Sequence, residues 1–268
     1  MGVRYPRYEV LSALFIFDHP LLLGVLLGIV LAFALDVGRQ VAVRYKIDET
    51  PDRKQQMATI RDGFFILLSL LLGFTLTFAT TRFAERRSLA VEEAVSLETT
   101  YLRASTLPQP YRDHSKQLLR EYVDARLALD DSDKSQFNEA MNRSKHIQEE
   151  LWFDAATVAQ NDRSAITAVY LNSLNETIDL DAKRVAAFEY HVAPAIWMLI
   201  IFVSLIVSFT RGATMTSRFW LSLILIPITI AIVVALIADL DTPTRGLIRL
   251  DQRPLQRLKA EIDAEVAH

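Results

Sequence analysis

Four long stretches of the chain contain no Asp, Glu, Lys or Arg, and charge-rich segments separate them. They hold 17, 19, 21 and 20 residues, at 19–35, 63–81, 190–210 and 219–238. A helix needs about 20 apolar residues to cross a bilayer core. The pattern therefore predicts four membrane-spanning helices. We extend the first to 20–42, because Asp36 and Arg39 are spaced so that they pair on one helical face.

The segment between the second and third spans, residues 82–189, has the composition of a helical domain. It has no glycine, and its 14 basic and 19 acidic residues give it a net charge of −5. Apolar residues recur at helical spacing, with a break at Pro108 and Pro110. We predict an all-α protein in which this domain lies between spans two and three and continues both spans without interruption.

The remaining segments are assigned by their position. We predict that residues 1–19 form an interfacial segment that leads into the first span. Their basic start and short apolar run are also typical of a signal peptide. We predict that residues 43–62 form a loop and that residues 239–268 form a C-terminal tail. Four spans place both termini and 82–189 on one side. Ten basic residues flank that side and eight the other, which favours cytoplasmic termini.

The amino-acid composition limits the chemical functions that the protein can have. The chain is 51% hydrophobic and 23% charged, with a mean hydropathy of +0.20, a net charge of −3 and no cysteine. Thiolate metal sites and disulfides are therefore excluded. The small net charge gives no reason to expect nucleic acid as a partner. Phosphate-binding and hydrolase motifs are missing from the sequence, and we predict that the protein is not an enzyme.

The second span carries small or weakly polar residues on one helical face, which we call the small-polar face. Its members are Ser69, Gly73, Thr77 and Thr80. This face suits the wall of a pore in an oligomer, and it suits close packing of helices equally. Phe74 and Phe78, one turn apart beside it, are candidates for apolar rings that gate a pore by dewetting.

Charged residues follow two of the spans. Arg82, Arg86 and Arg87 come after the second span, where they would attract anions at a vestibule or simply anchor the helix on the cytoplasmic side. Asp239 and Asp241 come after the fourth span. Two carboxylates beside free carbonyls suit a hard cation such as calcium. The alternative is a helix cap with a salt bridge to Arg245 or Arg249.

Two further polar groups have structural and functional interpretations. Glu176 and Asp179 share a helical face and suit acid–base work or metal binding, whereas a structural ion network with Arg86, Arg103 or Arg184 is the alternative. His191 opens the third span and suits an interface anchor or a pH sensor.

The order and spacing of several short blocks between residues 63 and 258 resemble the bestrophin-like family of bacterial membrane proteins. The matching blocks include Leu72–Phe74, Val91–Ala94, Thr100–Ala104 with Leu107–Pro108, Tyr122–Leu127, Asn175–Glu176 with Ile178–Asp179, His191 with Pro194, Asp239–Asp241 with Pro243, Arg245–Arg249 and Pro254–Leu255; Arg86 also matches.

The resemblance implies a bacterial inner-membrane protein that self-associates, with the pentamer and anion permeation of true bestrophins as the expected architecture and function. It also implies that the second span lines the pore and that a calcium site follows the fourth span, although only two acids are present there. Inorganic ions and the lipid bilayer are then the partners. A non-conducting membrane scaffold or sensor, which binds a partner through the helical domain, is the alternative function.

Overall fold

The computed structural model describes residues 19–45, 51–129, 134–215, 220–242 and 246–266, and the expected N-terminal segment 1–19 lies outside this part apart from His19. Within the described residues the secondary structure is all helical. The helices are α1 Pro20–Arg44, α2 Pro51–Ala104, α3 Tyr111–Ala128, α4 Lys134–Asn161, α5 Ala165–Glu189, α6 Pro194–Ala213, α7 Trp220–Asp241 and α8 Arg253–Val266.

Four of the described helical stretches are long and apolar enough to cross a membrane. They lie within Pro20–Arg44, Gln55–Ala104, Ala165–Ala213 and Ile224–Asp241. Pro20 and Pro194 stand in the first turns of α1 and α6, where a missing N–H costs nothing. Helix α7 continues through Pro227.

The chain divides into two compact units, and helix α2 contributes to both. The first, which we call the span unit, comprises Met1–Phe83 and His191–Arg249. The second, which we call the helical unit, comprises Ala84–Tyr190 and Leu250–His268.

In the span unit, α1 packs against α6 and α7. Glycine allows the backbones of α1 and α6 to touch: a Cβ added to Gly38 would lie 2.1 Å from the carbonyl oxygen of Phe209, and one added to Gly212 would lie 1.9 Å from that of Leu35. Small residues at such crossings are how membrane helices gain packing contacts, because lipid offers no hydrophobic drive for association. The surrounding core includes Leu23, Leu27, Leu31, Ile200, Val203, Val207, Val234 and Ile237.

The helical unit has a core of its own, to which α2, α3, α4, α5 and α8 contribute. Its largest buried members include Leu97, Leu119, Tyr122, Leu151, Tyr170 and Leu174. Helix α8 was not expected, because we predicted residues 239–268 only as a tail. Its apolar residues Leu255, Leu258 and Ile262 recur at helical spacing, and they are buried in this core.

Two connections differ from the prediction. Helix α2 begins at Pro51, so most of the segment expected as a loop at 43–62 is helical. Residues 190–193 are not helical, whereas we expected the last helix of the domain to continue into the third span. Proline disfavours the helical conformation in the residue before it. Ala193, which precedes Pro194, accordingly has φ −56° and ψ 136°.

Candidate pore-lining face and flanking charges

Helix α2 is the least covered of the four candidate spans. Only 17% of its apolar window is buried within the chain, against 33% to 44% for the other three. The buried residues of this stretch, Leu68, Thr75 and Ala79, lie on one side of the helix. The rest of the surface of α2 is therefore left for lipid, for water or for other copies of the chain.

The small-polar face lies on this uncovered side. Ser69, Gly73, Thr77 and Thr80 are all exposed, and at 3.6 residues per turn Thr77 points away from the buried Ala79. A Cβ added to Gly73 would meet no atom within 4 Å. Within the described part of the chain, no neighbouring helix therefore covers Gly73, whereas close packing within one chain would require one to do so.

The hydroxyl groups of this face are bonded to the helix itself. Ser69 Oγ donates to the carbonyl of Phe65 at 2.8 Å, and Thr77 Oγ1 donates to that of Gly73 at 2.9 Å. Thr80 Oγ1 also donates to carbonyls of the preceding turn. Because each hydrogen is directed back along the helix, the oxygen lone pairs are what this face presents outward.

The two phenylalanines beside the face are also uncovered. Phe74 is 68% exposed and Phe78 41% exposed. The Arg82 guanidinium lies over the Phe78 ring, 5.0 Å from its centroid, so the aromatic face and the positive charge attract each other. Phe78 and Arg82 therefore form one local unit at this end of the span.

The three arginines after the span occupy different environments. Arg82 is half-exposed and Arg87 is exposed, but Arg86 is only 2% exposed. Arg86 Nε donates to the carbonyl of Ala187 at 3.0 Å, and Nη2 donates to that of Tyr190 at 2.7 Å. A cation at the C-terminal end of α5 satisfies carbonyls that have no partner within the helix. This buried position differs from the vestibule that we expected for Arg86.

The two aspartates after the fourth span bind backbone amides. Asp239 accepts hydrogen bonds from the N–H groups of Leu247 at 2.8 Å and Ile248 at 2.9 Å. A Cβ at Gly246 would lie 2.1 Å from Asp239 Oδ1, so the loop approaches the carboxylate as only glycine permits. Asp239 thus fixes the turn that follows α7.

Asp241 accepts from the N–H of Val192 at 3.0 and 3.3 Å, and His191 Nδ1 lies 4.0 Å from it. Asp241 therefore holds the non-helical connection that precedes α6. The alternative prediction was a salt bridge from these aspartates to Arg245 or Arg249. Arg249 donates instead to the carbonyl of Gly246, and Arg245 lies outside the described residues.

A calcium ion does not fit the Asp239 and Asp241 carboxylates in this arrangement. Calcium takes six to eight oxygen ligands, whereas here each carboxylate faces N–H donors. Among the described residues, no group of three or more His, Cys, Asp or Glu side chains is assembled for a metal ion.

The helical unit contains a buried ion network that sequence reasoning identified only in part. Arg126 Nε lies 2.7 Å from Glu93 and Nη1 2.6 Å from Asp181, and Arg184 also pairs with Glu93. Gln148 donates to Asp181 at 2.9 Å. We expected Arg184 in such a network, but its centre is Arg126, which interrupts the apolar face of α3.

Tyr122 borders the network, whereas the predicted acid–base pair lies outside it. Burial raises the pKa of Tyr122, whose hydroxyl accepts a hydrogen bond from Gln148. Glu176 and Asp179, the proposed acid–base pair, are exposed on the surface of α5. Arg103 donates to the carbonyl of Val169.

The secondary structure of the described residues is helical throughout, with four candidate spans and a helical unit. The family model of the bestrophin-like domain matches residues 24–255, and the chain therefore belongs to the bestrophin-like family.

The fold is similar to the crystal structure of a point mutant of a bacterial bestrophin homologue from Klebsiella pneumoniae. The TM-score is 0.65 at 15% sequence identity, and the match covers 94% of this chain and 99% of the other. At 15% identity, the similarity shows a shared fold and nothing more specific. No curated protein matches the chain.

Proposed function

We propose that the protein is an oligomeric ion channel of bestrophin-like design, with helix α2 of each copy lining the pore. The observation that carries the proposal is the uncovered small-polar face of α2. The described residues of one chain offer one such face, and several copies would be needed to enclose a pathway. Family membership supports the channel class, and bestrophins are channels rather than enzymes.

The proposal includes the architecture that the family suggests. Five copies would surround the axis in the bacterial inner membrane, with the termini and the helical domain between spans two and three in the cytoplasm. The inorganic ion is the substrate, and permeation is passive. Ser69 and Thr77 would face the ion while it keeps its water. Phe74 and Phe78 would form the narrow apolar rings, and loss of water between the rings would close the pore.

Anion permeation needs hydrogen-bond donors or positive charge. In this chain the hydroxyl hydrogens of the small-polar face are bound to the carbonyls of α2. Arg82 therefore supplies the positive potential that would favour anions, and Arg87 lies farther along the helix. This dependence on a few arginines makes the sign of the permeant ion directly testable.

The experiment is current recording from the purified protein in planar bilayers. We expect current, and with a KCl gradient we expect the reversal potential to approach that of chloride. A reversal potential near that of potassium would overturn anion permeation while leaving the channel intact. Absence of current over a range of voltage and pH would contradict the channel and favour the scaffold or sensor.

The apolar rings are tested in the same system. Phe74→Ala and Phe78→Ala widen and wet the constriction, so we expect conductance or open probability to rise. Phe33→Ala is the matched control, because Phe33 on α1 is 70% exposed but lies on another span. If both conductance and open probability are unchanged in both α2 variants, this position for the constriction is rejected.

A further inference from the structure

Two arginines lie at the same end of the span unit, where apolar stretches of the chain meet charged residues. Arg211 directly follows the apolar stretch 190–210, and Arg61 lies two residues before the apolar stretch 63–81. Arg61 Nη1 donates to the Thr214 hydroxyl at 3.2 Å, and Thr214 caps α6 three residues after Arg211. Because residues three apart are neighbours on a helix, Arg61 reaches the turn that carries Arg211. We call Arg61 and Arg211 the arginine site.

The arginine site lies at the end of the packed interface between α2 and α6. Leu68 of α2 shares a hydrophobic core with Val203 and Val207 of α6, and Phe64, one turn after Arg61, packs against that core. The Arg61 side chain is only 21% exposed, although it is charged. Two packed spans therefore hold the site at the point where both leave the apolar part of the chain.

The positive charge of the site exceeds the negative charge beside it. Arg61 Nη2 lies 2.7 Å from Asp62 Oδ1, so Asp62 balances one of the two cations. Arg211 is half-buried, and its Nε atom is buried without a hydrogen-bond partner among the described residues. In the same part of the chain no carboxylate forms an ion pair with Arg211. On the neighbouring helix α1, Asp36 pairs with Arg39.

The end of helix α6 does not supply the missing partner. A cation can stabilise carbonyl groups at the C-terminal end of a helix. Here the N–H and hydroxyl groups of Thr214 already donate to the carbonyls of Thr210 and Arg211. An arginine that lies beside an apolar span without a counterion in the described chain favours the binding of an anion from outside it.

We propose that the arginine site binds the phosphate group of an anionic phospholipid. Arginine has five N–H donors, and Arg61 uses one for Thr214 and two for Asp62, which leaves two for a ligand. Guanidinium groups match phosphate oxygens with parallel hydrogen bonds. Lipid phosphates lie just outside the hydrocarbon core, where the apolar stretches of α2 and α6 end. Basic sites between membrane helices bind such headgroups.

The test is binding of added lipid to the full-length protein in detergent, followed by native mass spectrometry and by thermal unfolding. The three additions are phosphatidylglycerol, phosphatidylcholine and inorganic phosphate at equal concentration. A ligand that binds only the folded state raises the unfolding temperature. We expect phosphatidylglycerol to raise it and to stay attached in the mass spectrum, and we expect neither effect from the other two. These measurements need no current, so they do not rest on the channel proposal.

Glutamine variants test the two arginines separately. Arg61→Gln and Arg211→Gln should each lower the affinity for phosphatidylglycerol by at least about tenfold, because a hydrogen bond between charged groups contributes that much. Arg211→Lys keeps the charge but not the planar fork, so its affinity should lie between those of the unaltered chain and Arg211→Gln. Circular dichroism checks that each variant is folded.

Arg44→Gln is the matched control, because it removes an exposed positive charge from the last turn of α1 at the same end of the span unit. It should bind phosphatidylglycerol as the unaltered chain does. The proposal is overturned if phosphatidylglycerol does not bind, or if folded Arg61→Gln and Arg211→Gln bind it as tightly as the control. Equal stabilisation by inorganic phosphate or by phosphatidylcholine would also overturn it, in favour of a soluble anion or of acyl-chain contacts.

Discussion

The buried network around Arg126 allows a quantitative prediction of stability. Arg126 and Arg184 balance Glu93 and Asp181, and all four side chains are at most 13% exposed. Arg126→Met keeps a similar volume but leaves one excess negative charge in the core. Removing one partner of a buried ion pair costs about 3–5 kcal/mol. We therefore expect a fall in the unfolding temperature of about 10 °C or more for a unit of this size.

The assay is thermal unfolding followed by the fluorescence of Trp152, the one tryptophan in the helical unit. Trp197→Phe and Trp220→Phe give the background in which this signal is isolated. The matched control is Arg143→Met, since Arg143 pairs with Glu121 at the surface at 3.5 Å. An exposed pair is worth at most about 1 kcal/mol.

The unfolding temperatures of Arg126→Met and Arg143→Met together show whether the buried network contributes to stability. If Arg126→Met unfolds within a few degrees of Arg143→Met, the network does not carry the stability assigned to it. A second substitution gives an independent check. Adding Glu93→Gln to Arg126→Met removes the excess charge, so the double variant should recover part of the lost stability. No recovery would show that the loss came from packing rather than from charge.

Three other predictions follow from single contacts. Gly212→Ala should disrupt the crossing of α1 and α6, since its Cβ would lie 1.9 Å from the Leu35 oxygen. We expect a lower melting temperature in detergent, and an unchanged melting temperature would contradict the crossing. Gly246→Ala should expose the loop that Asp239 holds to proteolysis, with an unchanged cleavage rate as the contrary result. The hydrogen bond from Lys116 lowers the pKa of Glu265, so its contribution to the docking of α8 is present at neutral pH and is lost as pH falls below 4.5. The protection of α8 amides from hydrogen exchange, measured against the intrinsic rate at each pH, should therefore fall below pH 4.5, and Glu265→Gln should remove this dependence.

The fold class and the approximate span positions followed from the sequence because a bilayer imposes a strong constraint. Twenty uncharged residues in a row, as at 219–238, have few alternatives. The sequence also carried a signal for the break before Pro194, because proline disfavours the helical conformation in the residue that precedes it. We did not use this signal and expected a continuous helix there. Helix α8 was missed, although Leu255, Leu258 and Ile262 carry a helical period.

The contacts of the charged residues could not be predicted in the same way. Sequence spacing shows which residues share a helical face, but it does not show which helix lies opposite. Arg86 therefore looked like a solvent-facing cation, and the structure places it against the carbonyl groups of Ala187 and Tyr190. Arg126 carried one available signal: it lies one turn after Tyr122 on the buried face of α3. A charged residue on an apolar face indicates a buried partner.

The most direct test of the central claim is the accessibility of α2 to water-soluble thiol reagents during current recording. The chain has no cysteine, so Thr77→Cys introduces a single reactive group. Ile232→Cys on α7, where the native side chain is 62% exposed, is the matched control. We predict that a charged methanethiosulfonate reagent blocks current through Thr77→Cys and leaves Ile232→Cys unaffected. Equal sensitivity of the two variants, or no block of Thr77→Cys, would contradict a pore lined by α2.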